Sequence, residues 1–209
     1  MAITKAKENI LKRIRQALSH SVPLPFPQSE GPQSPFAQVQ EDTAVIFAER
    51  FSSVQGRFGF CSDKDELVMA LQNLIRQQGW TKIFLDGGQL TPFLQDSIPP
   101  YPDLSDCEAA ITSCECLVAR TGSIVLSAKE GGRSSSIYCP VHVCIAFTHQ
   151  LLPDLKDALL FLKNKYPAGL PSSISFATGP SRTADIEKTL VTGVHGPKEV
   201  YCFLVDSAS

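Results

Sequence analysis

The residues best suited to chemistry lie in the stretch ATGPSRTADIEKTLVTGVHGPKEV, residues 177–200, which contains two glycine-proline pairs. Gly179 and its proline lead into a polar turn formed by Ser181, Arg182 and Thr183. Free backbone N–H groups at the start of a helix, together with a guanidinium, suit a carboxylate or a phosphate. A structural cap explains Thr183 but does not require an arginine. We therefore predict a ligand role for this turn and keep the capping role as its alternative.

The segment after this turn, TADIEKTLVT (183–192), is predicted to be a short helix that ends at Gly193. Asp185 and Glu187 fall in its first turns, where carboxylates complement the helix dipole. The same two carboxylates are the candidate base or nucleophile if the chain acts as an enzyme on its own.

Histidine supplies the second kind of candidate. His195 stands between two glycines, the second of which is Gly196, so an irregular loop carries it close to the start of a strand. Its imidazole can act as an acid, a base or an anion contact, whereas the structural alternative is a hydrogen bond to a neighbouring carbonyl. We predict that His195 and Arg182 converge on one crevice. His142 lies inside the apolar run CPVHVCIA, which is typical of a buried core histidine, and it is a second-rank candidate for the site.

Two further polar loops interrupt apolar runs and complete the predicted ligand-binding set. Thr121, Gly122 and Ser123 supply two hydroxyls and an open backbone. Gly132 and Arg133 belong to a loop rich in glycine and serine, with many hydrogen-bond donors. Both loops suit a phosphate or a carboxylate, although such sequences also form ordinary turns.

Helical and strand patterns alternate along the chain, which predicts an α/β fold with a mostly parallel sheet between layers of helices. One predicted helix has Ser62 as its N-cap and Gly79 at its C-terminal end. The main predicted helices are DTAVIFAERFSSVQG, which ends at Gly56, DKDELVMALQNLIRQQG and HQLLPDLKDALLFLKNKYP. The main predicted strands are RFGFC, WTKIFL, IYCPVHVCIAF, SSISFAT and EVYCFLVD.

The first 37 residues are predicted to form an arm in front of an α/β domain that covers residues 38–209. Lys5 to Leu18 places apolar residues at helical spacing among five basic residues. Residues 20–37 hold five of the chain's 15 prolines, which is typical of an extended tether. Such an arm could dock on a partner protein or join a second copy of the chain in a homo-oligomer.

Composition narrows the class of function. The 209 residues carry a net charge of -2, with 43% apolar and 19% charged residues, so the chain is globular and has no basic field to bind nucleic acid. The start lacks a signal-peptide pattern, and no run of about 18 apolar residues occurs. We expect a cytoplasmic protein without a membrane span.

The seven cysteines are an odd number in a chain too large to need cross-links, which favours reduced thiols over a disulfide framework. No C-x-x-C pair occurs, so we predict neither a metal site nor an iron–sulfur cluster in this chain. We expect the thiols to pack as small apolar core residues.

Three of these segments together resemble the LUD-domain family. They are ITSCECLVARTGSIVLS (111–127), GGRSSSIYCPVHVCIAF (131–147) and, most specifically, GPSRTADIEKTLVTGVHGPKEVYCFLV (179–205). The likeness extends over residues 42–206. It implies a three-layer α/β fold related to ribose-5-phosphate isomerase, glucosamine-phosphate deaminase and the CoA-transferases, on which small anions bind at strand ends.

The resemblance also implies a place in a multi-protein system that oxidises L-lactate to pyruvate, with iron–sulfur clusters on partner subunits and none in this chain. A small carboxylate or phosphate is the ligand it implies here. One position departs from the family pattern, because Arg120 stands where an acidic residue is expected before the Thr-Gly pair. A guanidinium there would be an anion clamp rather than a general base.

Two other functions remain open from the residues. A stand-alone enzyme of the isomerase or CoA-transferase kind would use Asp185 or Glu187 on a phosphorylated or acyl substrate. A non-catalytic assembly subunit would dock through its first 37 residues and leave the polar loops without a ligand.

Overall fold

The computed structural model describes residues 5–18, 42–86, 88, 90–129, 134–184, 190–193 and 195–206. The chain divides into two compact units, Met1–Gln40 and Glu41–Ser209. In the first unit, helix α1 spans Lys5–Leu18, as the apolar spacing predicts, and its side chains from residue 8 to residue 16 are exposed.

The second unit alternates helices and strands. Its helices are α2 (Thr43–Ser53), α3 (Lys64–Gln78), α4 (Thr91–Leu94), α5 (Ser135–Tyr138) and α6 (Leu155–Lys165). Its strands are β1 (Arg57–Cys61), β2 (Ile83–Leu85), β3 (Ala109–Thr112), β4 (Cys116–Val118), β5 (Ser123–Ser127), β6 (Val141–Phe147), β7 (Leu151–Leu152), β8 (Ile174–Ala177), β9 (Arg182–Ala184), β10 (Leu190–Thr192) and β11 (Glu199–Val205). The predicted helices α2 and α3 and the predicted strand β11 are confirmed. The predictions for α6 and β6 hold for most of their length but start too early, because Leu151–Leu152 form β7 and Ser135–Tyr138 form α5.

Five strands form a parallel sheet in the order β1, β11, β6, β3, β2. β6 lies at the centre and pairs with β11 over its whole length, from Val141 opposite Glu199 to Phe147 opposite Val205. The nearly continuous apolar sequence of β6 suits a strand that is covered on both faces. The predicted α/β class with a mostly parallel sheet is confirmed.

Helices α3 and α4 cover one face of the parallel sheet. Leu67 and Leu71 of α3 are fully buried in one apolar cluster with Leu94 of α4 and with Ile111 and Val143 of the sheet. The apolar residues of α3 recur at helical spacing, so the helix presents one apolar side to the sheet.

The start of α3 differs from the prediction by one residue. Asp63 is the N-cap, because its carboxylate accepts a hydrogen bond of 2.8 Å from Glu66 N. Ser62 instead donates its hydroxyl to the Glu66 carboxylate at 2.6 Å, so the predicted capping oxygen is used as a donor. Gly79 ends the helix as predicted.

A second sheet, in the order β7, β4, β5, β8, covers the other face of the parallel sheet. Leu117 and Ile124 on its inner side pack in one cluster with Phe47 and Phe51 of α2. On its outer side, the neighbouring strand residues pack against Leu162 and the rest of α6. The sequence analysis did not separate this sheet from the first, because strands that are buried on both faces read as the same apolar runs in either sheet.

The described ends of the region predicted to be a helix, residues 183–184 and 190–192, lie in a pair of strands. β9 and β10 lie antiparallel, with Thr183 opposite Val191 and Arg182 opposite Thr192. The helix prediction is therefore wrong, and so is the proposed capping role of Ser181 and Thr183. β-branched residues at these positions favour pairing as strands, and a stretch of this length is too short for its periodicity to decide.

Cys107 and Cys139 form a disulfide, so the expectation that all seven thiols are reduced is wrong. The two residues meet because β3 and β6 are neighbours in register, with Ala109 opposite Val141, and each cysteine precedes its strand by the same distance along the chain. The other five cysteines are free and buried, as expected of core thiols.

Candidate functional site

A cavity of about 260 Å³ lies beside the amino ends of β6 and β11, where β5 and β8 of the second sheet approach them. His142 and Val200, which are opposite each other in the parallel sheet, form part of its wall. The other described lining residues are Leu126, Ser136, Ile137, Ser175, Ala177, Thr178, Gly179, Pro180, Ser181, His195, Gly196 and Pro197. The volume is below the range of about 300–1,000 Å³ that is typical of sites for drug-sized molecules, so it suits a small metabolite.

The two glycine-proline turns meet at this cavity. Ser181 N donates to Pro197 O at 2.9 Å, and Gly193 N donates to Ser181 O at 2.9 Å. A Cβ on Gly196 would come within 2.9 Å of Ser181 Cβ, so the close approach of the two turns requires a glycine. Ser181 N is therefore not the free N–H group that a helix start would provide, because it is hydrogen-bonded to the other turn. Ser181 nevertheless lines the cavity.

His195 is exposed and lines the cavity. Among the described residues, no carbonyl accepts a hydrogen bond from its ring, so the structural alternative for this histidine finds no support there. An imidazole in this position can reach both the cavity and solvent, and it can donate or accept a hydrogen bond.

His142 is buried and shares the cavity with His195. Its Nε2 lies 2.8 Å from Thr112 Oγ1 on the neighbouring strand. Burial lowers the pKa of His142 to about 4, because the charged imidazolium would lose its hydration. The ring is therefore uncharged near neutral pH.

Arg182 does not line the cavity. Its guanidinium donates from Nη2 to Val54 O at 2.9 Å, and the side chain is exposed. Successive residues of an extended segment point to opposite sides, so Ser181 and Arg182 cannot both face the cavity. The predicted convergence of Arg182 and His195 on one crevice is therefore wrong in its geometry.

The turn of Thr121, Gly122 and Ser123 lies behind the cavity rather than in its wall. Thr121 Oγ1 is 2.7 Å from Ser123 Oγ, which is 2.7 Å from Oγ1 of Thr178, a lining residue. A Cβ on Gly122 would come within 2.6 Å of Phe51 N, so this backbone packs on α2 and is not open to a ligand. Within the described residues, the turn contacts the cavity wall through Thr178.

Arg120 forms a bidentate ion pair within the protein and does not line the cavity as an anion-binding residue. Its Nε and Nη2 donate to the Asp154 carboxylate at 2.9 and 2.8 Å. The guanidinium holds the pKa of Asp154 below its usual value, and Asp154 is also the N-cap of α6. The charge of Arg120 therefore stabilises the start of a helix.

Several predicted residues lie outside the described part of the chain, and the predictions for them stand as made. They are Gly132, Arg133, Asp185 and Glu187. Conversely, sequence patterns did not indicate Ser175 or Thr178, they indicated Ser136 only as part of a polar loop, and they gave His142 second rank. An ionisable residue within an apolar strand is the signal that marks His142, and Thr178 directly precedes the predicted Gly179.

The described lining of the cavity contains hydroxyl groups and two imidazoles, and it contains no carboxylate. Such a lining can donate hydrogen bonds to a small anion without repelling it. Within the described ranges, no group of three or more His, Cys, Asp or Glu residues is arranged to hold a metal ion. No helix in those ranges is long and apolar enough to cross a membrane.

Comparison with family models gives a match to the LUD domain over residues 101–205. Lactate utilization protein C of Halalkalibacterium halodurans is 32% identical over 160 residues, which cover 68% of this chain and 69% of that protein. The proteins of the same name from Bacillus licheniformis and Bacillus subtilis are 37% and 38% identical over 99 and 98 residues, which cover 46% of this chain. The matched segments span about two fifths of the length of these two relatives, 41% in each.

Among solved structures, this fold is similar to the crystal structure of a DUF162 family protein from Deinococcus radiodurans. The TM-score is 0.59 with 20% sequence identity, and the match covers 79% of this chain and 99% of that one. At this identity the likeness shows the fold alone.

Proposed function

Because the chain belongs to the LUD-domain family, we propose that it is a subunit of a system that oxidises L-lactate to pyruvate and that it binds a small carboxylate in the cavity between its two sheets. The relatives named lactate utilization protein C support the first part. The observation that carries the second part is a cavity of metabolite size whose described lining offers hydroxyls and imidazoles but no carboxylate.

The carboxylate of the ligand is best received at the meeting point of the two glycine-proline turns. Ser181 and His195 both line the cavity there, and Gly196 leaves room for the two turns to touch. A hydroxyl and an imidazole can each donate one hydrogen bond to a carboxylate, and hydrogen bonds to a charged acceptor are the stronger kind.

The oxidation itself removes two electrons and two protons from lactate, and we propose that iron–sulfur clusters on partner proteins receive the electrons while the protons pass to solvent. The residues of this chain would then bind and orient the carboxylate while the electron carriers are supplied by the assembly. This division of labour follows the one that the family resemblance implies.

Helix α1 is the proposed contact with those partners. Ile10, Leu11 and Ile14 are 58%, 36% and 48% exposed, so one side of the helix carries exposed apolar side chains. The helix also carries five basic residues against Glu8. An apolar side bordered by positive charge suits a groove with an acidic rim on a partner protein.

A binding measurement tests the ligand assignment. We expect isothermal titration calorimetry to show that the full-length chain binds L-lactate, and that His195→Ala weakens binding about 5- to 10-fold through the loss of one hydrogen bond to a charged group. His149→Ala is the matched control, because His149 is an exposed histidine beyond the carboxyl end of β6. Equal affinity of the two variants, or no binding by the unaltered chain, would contradict the assignment.

A growth test separates the subunit from the two alternatives. In cells that depend on this chain to grow on lactate, we expect loss of growth when residues 1–37 are deleted, together with loss of the partner proteins in affinity purification. A non-catalytic assembly subunit would lose growth on this deletion but keep it with His195→Ala. Turnover of a phosphorylated or acyl substrate by the purified chain alone would favour the stand-alone enzyme.

A further inference from the structure

His142 is 1% exposed and nevertheless lines the cavity. It lies opposite Ala110 in β3, and Thr112 is two residues further along that strand, on the same face of the sheet. This arrangement brings Thr112 Oγ1 to 2.8 Å from Nε2 of the ring.

The Thr112 hydroxyl determines which ring nitrogen carries the hydrogen. Thr112 Oγ1 donates its single hydrogen to Ser113 O at 2.9 Å, so toward His142 the same oxygen can only accept. Nε2 must therefore carry the hydrogen of the neutral ring and donate it to Thr112. Nδ1 is then bare and can act only as an acceptor.

The bare Nδ1 has no donor within the described part of the chain. Within that part of the chain, Thr91 Oγ1 is the one fully buried side-chain polar atom that lacks a hydrogen-bond partner. Nδ1 of His142 also lacks a partner, so it is not fully buried. The cavity is the side from which a hydrogen-bond donor can approach. A buried acceptor of this kind is normally satisfied by a ligand group or by water.

We propose that Nδ1 of His142 accepts a hydrogen bond from a hydroxyl group of the ligand, and that the site thereby selects short 2-hydroxy acids over the corresponding 2-keto acids. This inference rests on the proposed function, since it takes a small carboxylate in this cavity as its premise. A keto oxygen has no hydrogen to donate and directs its lone pairs at those of Nδ1. An acid without the hydroxyl leaves Nδ1 without a donor from the ligand.

This selectivity requires that Nδ1 of His142 carries no hydrogen, so that it can only accept a hydrogen bond. A protonated ring would donate from both nitrogens and would favour the keto group. The burial of His142 among apolar strands opposes protonation, and the hydrogen bond to Thr112 opposes the other neutral tautomer. Burial and the Thr112 hydrogen bond together keep the lone pair of Nδ1 available as an acceptor.

Calorimetry on the full-length chain with L-lactate, propionate and pyruvate tests the proposal. We expect L-lactate to bind about 10-fold more tightly than propionate, the effect of one hydrogen bond to a buried acceptor, and pyruvate to bind more weakly than L-lactate by at least as much. Equal affinities for the three acids would overturn this inference and leave the proposed function standing. Binding of none of them would overturn the proposed function and this inference with it.

Two variants distinguish a specificity role from a structural one. His142→Leu removes the acceptor, so we expect the preference for L-lactate over propionate to fall close to 1. Thr112→Val keeps the ring but frees it to carry its hydrogen on Nδ1, so the preference for L-lactate over pyruvate should fall about 5-fold. His195→Ala, the control, should weaken all three acids alike and leave both ratios unchanged. Unchanged ratios in Thr112→Val would overturn the proposal even if His142→Leu fails to fold.

Nitrogen NMR of the chain labelled at histidine provides a direct reading of the tautomer. We expect the His142 signals to show a hydrogen on Nε2 and none on Nδ1, and the Nδ1 signal to move when L-lactate is added and to move much less with propionate. A hydrogen on Nδ1 in the free protein would overturn the proposal.

Discussion

The guanidinium groups of Arg182 and Arg120, two residues considered as anion contacts, are hydrogen-bonded to other parts of the protein. The guanidinium of Arg182 bonds to Val54 O, and that of Arg120 bonds to Asp154. Among the described lining residues, His142 is kept uncharged by burial, and His195 is the side chain that can add positive charge. Among the described lining residues, the proposed carboxylate would therefore be held mainly by hydroxyl and imidazole donors, which select for shape and hydrogen-bonding pattern more than for charge.

Gly122 shows the cost of a side chain where two elements touch. Its φ is +61°, and a Cβ there would approach Phe51 N within 2.6 Å and Arg50 C within 2.7 Å. We expect Gly122→Ala to lower the free energy of unfolding by about 3 kcal/mol, of which about 1–2 kcal/mol comes from the left-handed backbone and the rest from displacing α2. Urea unfolding followed by circular dichroism measures this loss.

The matched control is Gly79→Ala, at the C-terminal end of α3. Gly79 has a φ of 70°, and nothing lies within 4 Å of an added Cβ. Only the backbone cost of about 1 kcal/mol is therefore expected. Equal losses in the two variants would show that the contact between Gly122 and α2 does not contribute to stability.

Among the secondary-structure elements, α5 connects the cavity to the edge of the parallel sheet. Ser136 and Ile137 of α5 line the cavity, and Ser135 donates its hydroxyl to the Asp86 carboxylate just after β2. Cys139, directly after α5, is bonded to Cys107 just before β3. The hydrogen bond and the disulfide fix α5, which forms one wall of the cavity, to the segments beside β2 and β3, two strands that do not line it.

The disulfide is expected to contribute about 3 kcal/mol to the free energy of unfolding. It closes a loop between residues that are 32 positions apart, and a cross-link of this span restricts the unfolded chain by about 3–4 kcal/mol. Urea unfolding with and without a reducing agent measures the difference. The double variant Cys107→Ser/Cys139→Ser should match the reduced protein and should not respond to the reducing agent. A response in the double variant would assign the effect to another group.

Local patterns predicted the elements whose signals are complete within one segment. Helix α3 has a capping carboxylate, one apolar side and a terminal glycine, and β6 is an unbroken apolar run, so both could be predicted. The β9–β10 pair could not, because TADIEKTL has the composition of a helix and its strand pairing joins residues on either side of 185–189. The disulfide depends on the register of β3 and β6, which no local pattern contains.

At the scale of the molecule, the cavity exists because two sheets pack against each other. β6 and β11 of the parallel sheet supply His142 and Val200, whereas β5 and β8 of the second sheet supply Leu126 and Ser175. The sequence indicated that Ser181, His195 and the glycines beside them belong to a site, since turn residues and a histidine cluster there. It gave His142 only second rank, because a core histidine and a cavity histidine look the same until the second sheet is placed.

The same histidine links the stability of the whole domain to pH. The pKa of His142 is about 4 in the folded protein, against an ordinary value of 6.5 in the unfolded chain. Between these values the unfolded chain binds a proton that the folded protein does not, so the contribution is complete above pH 6.5 and is lost as the pH falls toward 4. We expect the loss of this contribution to lower the free energy of unfolding by about 3 kcal/mol over this window.

Urea unfolding at stepped pH tests this expectation. The free energy of unfolding should fall more steeply with decreasing pH for the unaltered chain than for His142→Leu, whereas His149→Ala should follow the unaltered chain. Carboxylates such as Asp154 titrate in all three proteins and cancel in the comparison, so parallel curves for the unaltered chain and His142→Leu would show that His142 is not buried in its neutral form.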